Sequence, residues 1–115
     1  MINPELKKTI QALKTASKKR NAAIWAKLAD DLDTSKRSRV STNLSNINRH
    51  TEADQVVAVP GKVLASGALG HPVTVAAFAF SDTAVDKISA VGGRTMSLIE
   101  LLEEGIEPSK IKVLK

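Results

Sequence analysis

The stretch Val73-Thr74-Val75-Ala76-Ala77-Phe78-Ala79-Phe80-Ser81-Asp82 decides how the rest of the chain is read. Its first eight residues are rich in β-branched and aromatic side chains and carry no charge, which predicts a strand. Both alternating faces are nearly apolar, the pattern of a central strand covered on two sides rather than one with a wet face. Phe78 and Phe80 fall on one of those faces and are expected in the core. Ser81-Asp82 then caps a helix carrying Val85, Ile88 and Val91, and Gly92-Gly93 stops it. Further on, Ser97-Leu98-Ile99-Glu100 has the spacing of a capping box and opens a short helix to about Glu104, which Gly105 ends. Ile111 to Leu114 reads as a last short strand. Before the central strand, Val56-Val57-Ala58-Val59 is a short β run ending at Pro60-Gly61, a turn signal. Lys62 to Ala65 continues extended, and Ser66 to Gly70 is a glycine loop.

The first fifty residues have a different period. Asn3-Pro4-Glu5 opens a helix, with Pro4 harmless at the first helical position. Leu6, Ile10, Leu13 and Ser17 share a face, and Lys18-Lys19-Arg20 close the helix where cations suit the dipole. Asn21 can cap a second helix with Ile24, Trp25, Leu28 and Leu32 inward, ending near Leu32. Thr34 to Arg39 is a polar, basic connection. A short extended entry at Val40–Asn43 precedes about two helical turns to Arg49, and Thr51 to Asp54 is a turn. The order of elements predicts an α/β class: one mixed layer with N-terminal helices.

The chain has 115 residues, which suits a single domain over 1–115. Within it, 1–50 forms a basic, mostly helical part and 51–115 an α/β part. Net charge is +5, and its distribution matters more than its size. Residues 1–50 carry 11 Lys and Arg against 4 Asp and Glu, whereas residues 51–115 carry 6 against 8. All of the basic excess is therefore in the first part, the footprint of a nucleic-acid binder. No apolar run approaches the ~20 residues of a membrane helix, and MINPELKK lacks a secretory pattern, so no membrane partner and an intracellular place are expected. There is no cysteine, which excludes disulfides, thiolate catalysis and cysteine-ligated zinc.

No catalytic constellation is visible. His50 and His71 have no HExxH spacing and no GxSxG elbow is present. Pro60-Gly61-Lys62-Val63 fails as a P-loop because Val follows the Lys and Val56 stands where the first Gly should be. Gly67-Ala68-Leu69-Gly70 lacks the dinucleotide pattern. The glycines at 61 and 67 could still bring backbone amides close to phosphate, with Lys62 adding charge. Trp25, Phe78 and Phe80 are the only aromatics, and their apolar settings argue against a base-stacking platform. Contact with folded nucleic acid should therefore run through phosphates. The strongest local candidate is Lys36-Arg37-Ser38-Arg39 with Asn43, Asn46 and Arg49, since Arg and Asn suit phosphates, 2′-hydroxyls and base edges. Lys18, Lys19, Arg20, Gly61, Lys62, Ser66 and Gly67 complete the candidate set.

SKRSRVSTNLSNINRH (35–50) and VVAVPGKVLASGALGHPVTVAAFAFSDTAVDKISAVGGRTMSLIELL (56–102) together resemble the archaeal large-subunit ribosomal protein eighteen-e family. Its superfamily includes the bacterial large-subunit protein numbered fifteen. The most specific pieces are Val59 to Leu64 followed by Ser66-Gly67, Val73 to Ala77 with Phe80-Ser81, and Lys87-Ile88 leading to Gly92-Gly93. Asn43-Leu44 with Ile47 and Arg49 completes them. The resemblance implies an irregular ββα superhelix of the α/β class. It also implies a structural, non-catalytic role on the large ribosomal subunit of the cytoplasm. The implied partners are large-subunit rRNA and neighbouring ribosomal proteins, with no cofactor, metal or small-molecule substrate. By position, Lys36 to Arg49 and the turn around Gly61-Lys62 match family regions that face RNA. A free helix-turn-helix DNA-binding regulator, built from the helices before His50, is the alternative.

Overall fold

The computed structural model of the protein describes residues 4–20, 22–33 and 40–114. Within them the chain runs through α1 (Pro4–Arg20), α2 (Ala23–Leu32), β1 (Val40–Asn43), α3 (Leu44–His50) and β2 (Val56–Leu64). It continues through β3 (Thr74–Phe80), α4 (Asp82–Ala90), β4 (Arg94–Ser97), α5 (Leu98–Glu104) and β5 (Ile111–Val113). The class is α/β as expected, and β2, β3 and α4 follow one another in a ββα succession.

The strands form one 5-stranded sheet in which every pairing is parallel. β2 is its centre. β3 lines one edge of β2, and β4 follows β3. The other edge of β2 is shared: β5 pairs with Val56 to Ala58, and β1 pairs with Gly61 to Leu64.

This arrangement corrects the expected turn at Pro60-Gly61, which instead lies inside a continuous nine-residue strand. Proline cannot donate to a ladder and survives in sheets only at edges and irregularities. Pro60 falls in the gap between the two strands that share one edge of β2. It also falls at a register shift to β3, where Val59 pairs with Ala77 and Lys62 with Ala79. Pro60 and Gly61 thus stand together against Phe78 as a bulge.

Two apolar cores flank the sheet, which explains the two-sided pattern of β3. Val57, Val59, Val63, Val75 and Ala77 meet Leu44 and Ile47 of α3 and Ala84 and Ile88 of α4. Ala58 and Ala76 point the other way, toward Trp25, Leu28 and Leu32 of α2 and Leu98 and Leu101 of α5. Trp25, Leu28 and Leu32 are completely buried, each contributing about 1.5–3 kcal/mol from apolar burial. α1 forms an outer layer on α2 and α5 through Leu6, Thr9, Ile10, Leu13 and Ala16.

Helix faces differ slightly from the expected ones. On α2 the buried stripe is Trp25, Leu28, Ala29 and Leu32, with Ile24 only half-buried; that is the i, i+3, i+4, i+7 geometry. On α1, Thr9 and Ala16 are buried and Ser17 is at the margin. The Thr9 hydroxyl is satisfied by donating to the Glu5 carbonyl at 2.9 Å. Phe78 and Phe80 are also corrected. Both are half-buried, and they pack against opposite cores, because the bulge breaks strict alternation at the end of β3.

The predicted helix ends are found. The Ser81 hydroxyl accepts from the Ala84 N–H at 3.2 Å. Ser97 and Glu100 make both bonds of a capping box. Gly105 closes α5 at φ +68, a left-handed conformation that glycine adopts without strain. The cap expected from Asn3 lies outside the described residues, as does Asn21; the N-cap of α2 is Ala22, which makes no side-chain capping bond, in place of the expected Asn21.

Candidate nucleic-acid interface

Because β1, β2 and β3 are parallel, the residues that follow them gather along one rim of the sheet. β1 ends at Asn43, which pairs with Leu64 at the end of β2. The loop after β2 is tied to this rim by four hydrogen bonds. The Ser45 N–H donates to the Ser66 carbonyl at 3.1 Å. Lys87 Nζ, from α4, donates to the carbonyls of Ala65 and Gly67, each at 3.0 Å. The Gly70 N–H donates to Asn48 Oδ1 at 3.0 Å. Residues separated by more than forty positions in sequence thus meet on one loop: Ser45 and Lys87 both bond the segment Ala65 to Gly67.

Two details free this rim for contact. Asn43 occupies the N-cap position of α3 but its side chain makes no capping bond. The Ser66 carbonyl takes the Ser45 N–H at the first turn of α3, so the Asn43 amide stays exposed and available. Gly67 has φ +88, and a Cβ there would stand 2.4 Å from Ser45 Cβ. Only glycine permits this approach of the loop to α3. Ser66, Gly67 and Ala68 are all exposed.

Lys62 lies on the opposite face of the sheet from α3 and α4. It pairs with Ser41 and Ala79, whereas its neighbour Val63 enters the α3–α4 core. Its side chain is exposed, as is that of Ser41. Gly61 is buried and presents no turn to solvent, so the expected Gly61-Lys62 turn reduces to Lys62 on an open part of the sheet face. Lys18, Lys19 and Arg20 are exposed at the end of the outer helix α1, on the side of the sheet away from α3. Lys19 and Arg20, with Lys7 and Lys8, border a groove of about 750 Å³ whose floor includes Ala12, Ala16 and Leu102. Lys36, Arg37, Ser38 and Arg39 lie outside the described residues.

The stretch from Asn43 to Arg49 is not one patch. Asn43 stands at the rim, Asn46 is half-buried within α3, and Arg49 is exposed in its last turn. Six residues of helical rise separate Arg49 from Asn43, about 9 Å along the axis. The end of α3 is held by structural bonds. Thr51 donates its hydroxyl proton to the Ile47 carbonyl at 2.6 Å and accepts from His71 Nε2 at 2.8 Å. His50 Nδ1 donates to the Asn46 carbonyl at 2.9 Å, and Lys112 Nζ donates to the His50 carbonyl. His50 thus bonds the backbone of α3 and His71 the Thr51 hydroxyl that closes it. Among the described residues, no three His, Asp or Glu side chains gather to hold a metal ion.

A profile of the family described as ribosomal proteins 50S-L15 and 50S-L18e, together with their 60S counterpart, matches residues 6–96. The chain belongs to this family. It is 44% identical over 113 residues to the large ribosomal subunit protein eL18 of Methanothermobacter thermautotrophicus, covering 98% of this chain and 93% of that protein. It is 41% identical over 113 residues to the eL18 protein of Haloarcula marismortui, covering 98% and 97%. It is 43% identical over 95 residues to that of Sulfolobus acidocaldarius, covering 83% and 80%. Within this family member, Lys87 is the rim residue that residue chemistry did not single out. Its only sequence signal was its place in the Lys87-Ile88 family pattern, and the contact that gives it meaning is 20 residues away.

Proposed function

We propose that this chain is a structural, non-catalytic protein of the large ribosomal subunit in the cytoplasm. It binds folded large-subunit rRNA, mainly through phosphates, beside neighbouring ribosomal proteins. The family supports the ribosomal role. The observation that carries the phosphate reading is how the chain leaves its cations. Lys18, Lys19, Arg20, Arg49 and Lys62 are exposed and make no ion pair with a described residue. The pairs among described residues are Lys14–Asp33 at 3.8 Å and Arg94–Glu104 at 2.9 Å. Unpaired cations on a rigid scaffold are what a polyanion neutralises with release of counterions. Lys36, Arg37, Ser38 and Arg39 are further candidates for phosphate contact, and Asn43, Asn46, Ser66 and Gly67 for polar contacts.

The DNA-binding alternative has little support in the architecture. A helix-turn-helix needs two helices joined by a tight turn and a recognition helix with free polar side chains. α2 exposes Lys27 and Asp30 but buries Trp25, Leu28, Ala29 and Leu32, and β1 stands between α2 and the seven-residue α3. Sedimentation tests the proposal. Tagged full-length chain expressed in an archaeal host should travel with large subunits at low salt and be stripped at high salt. Travel with DNA, or with neither, would overturn it.

A further inference from the structure

The loop after β2 is polarised in a way that nothing in its sequence announces. Three successive carbonyls are engaged within the chain: those of Ala65 and Gly67 by Lys87 Nζ, and that of Ser66 by the Ser45 N–H. The amides of Ser66, Gly67, Ala68 and Leu69 meet no hydrogen-bond acceptor among the described residues. Every peptide bond in the described chain is trans. In a planar trans peptide the N–H of one residue points opposite to the carbonyl of the residue before it. Two carbonyls drawn to one ammonium therefore turn the Ser66 and Ala68 amides to the opposite side of the loop. Ser66, Gly67 and Ala68 are exposed, so this part of the loop is open to solvent. A cation thus lies on one side of the loop and the unsatisfied amides of Ser66 and Ala68 on the other. This is the electrostatics of backbone anion sites.

We propose that the outward amides of Ser66 and Ala68 bind a phosphate of the RNA backbone, and that Lys87 is the positioning residue that aims them. The inference rests on the rRNA-binding reading above and deepens it. Lys87 acts through the loop: its ammonium is committed to two carbonyls rather than to the ligand. Gly67 has the companion role, because the close approach to Ser45 that fixes the Ser66 carbonyl admits no Cβ.

The distinction between aiming and touching is measurable. A lysine that neutralises a phosphate contributes about 0.7–0.9 to the slope of log K against log salt, whereas neutral amides release no counterion. Binding of the full-length chain to transcribed archaeal large-subunit rRNA would be measured across a salt series, for the unmodified protein, Lys87→Met and Lys87→Arg. Lys87→Met is expected to bind about tenfold more weakly with its salt slope unchanged, since lost hydrogen bonds rather than lost ions set the deficit. Lys87→Arg should recover most of the affinity, because a guanidinium can donate to both carbonyls. In parallel, inorganic phosphate should shift the amide resonances of Ser66 and Ala68 in the unmodified chain and in Lys87→Arg, but not in Lys87→Met.

Several results would overturn the inference. Unmoved Ser66 and Ala68 resonances in the unmodified chain remove the site, and that arm stands even if Lys87→Met does not fold. A salt slope that flattens by about 0.7–0.9 in Lys87→Met makes Lys87 a direct phosphate ligand. Shifted resonances with undiminished RNA affinity in Lys87→Met make the loop a site for free phosphate only. Failure of the unmodified chain to bind rRNA at all would instead sink the function proposed above, leaving the phosphate titration to judge the loop.

Discussion

Gly67→Ala should be among the most damaging single-methyl additions in this protein. The added Cβ would lie 2.4 Å from Ser45 Cβ and 3.0 Å from both Ser45 Cα and Ser45 N. The last two are backbone atoms, so the clash cannot be relieved by rotating a side chain. The position also has φ +88, which costs an L-residue about 1–2 kcal/mol. Overpacking adds about 1–3 kcal/mol. If the loop moves away, the Ser45–Ser66 bond at 3.1 Å is lost, at about 1 kcal/mol. These terms are alternatives in part, so a total of about 2–4 kcal/mol is expected. Urea unfolding is the assay. With a slope of about 2 kcal/mol per molar for a small protein, the midpoint should fall by about 1–2 M with the slope unchanged. Ser45→Gly in the same chain removes the 2.4 Å approach and leaves the two at 3.0 Å, so the double variant should recover part but not all of the stability. A loss below about 0.5 kcal/mol for Gly67→Ala, the range of ordinary surface changes, would refute the close approach of loop and helix.

Trp25 is fully buried, so rRNA binding should leave the tryptophan emission nearly unchanged; a strong quench that disappears in a folded Trp25→Leu variant would reveal base stacking. Ser97→Ala removes the hydroxyl that caps α5 and completes its capping box and should cost about 0.5–2 kcal/mol in thermal or urea unfolding; no change would mean that the helix end is held otherwise. Replacing Arg37 and Arg39 with Ala should flatten the salt dependence of rRNA binding by about one to two units, with thermal unfolding nearly unchanged. Lys110→Ala, exposed and in the net-negative part, is the control, and an equal effect there would undo the charge-asymmetry argument. Lys112 is unsuited to that comparison because it holds the His50 carbonyl.

Much of the local structure is legible in the residues themselves. The capping box at Ser97, the cap at Ser81, the glycine at 105 and the apolar run of β3 act through neighbours within a few positions. Short-range sterics and hydrogen bonding suffice to define them. The charge asymmetry between the two parts of the chain is likewise a property of composition, and the family pattern is carried by the residue string. Pro60-Gly61 shows where local reasoning stops. Its dipeptide chemistry says turn, yet two different strands share one edge of β2 and leave a gap there in which a proline costs no ladder bond. The Phe78 and Phe80 side chains part to opposite cores because of the same irregularity. The rim is a stronger case. Asn43, Ser66, Gly67 and Lys87 are scattered in sequence, and no periodicity joins them. They come to one rim because parallel pairing brings the ends of β1 and β2 to one side and α4 carries Lys87 to the carbonyls of Ala65 and Gly67. Local interactions determine what each segment can be; which carbonyls a lysine reaches, and so which amides remain free to meet a phosphate, is decided only when distant segments pack.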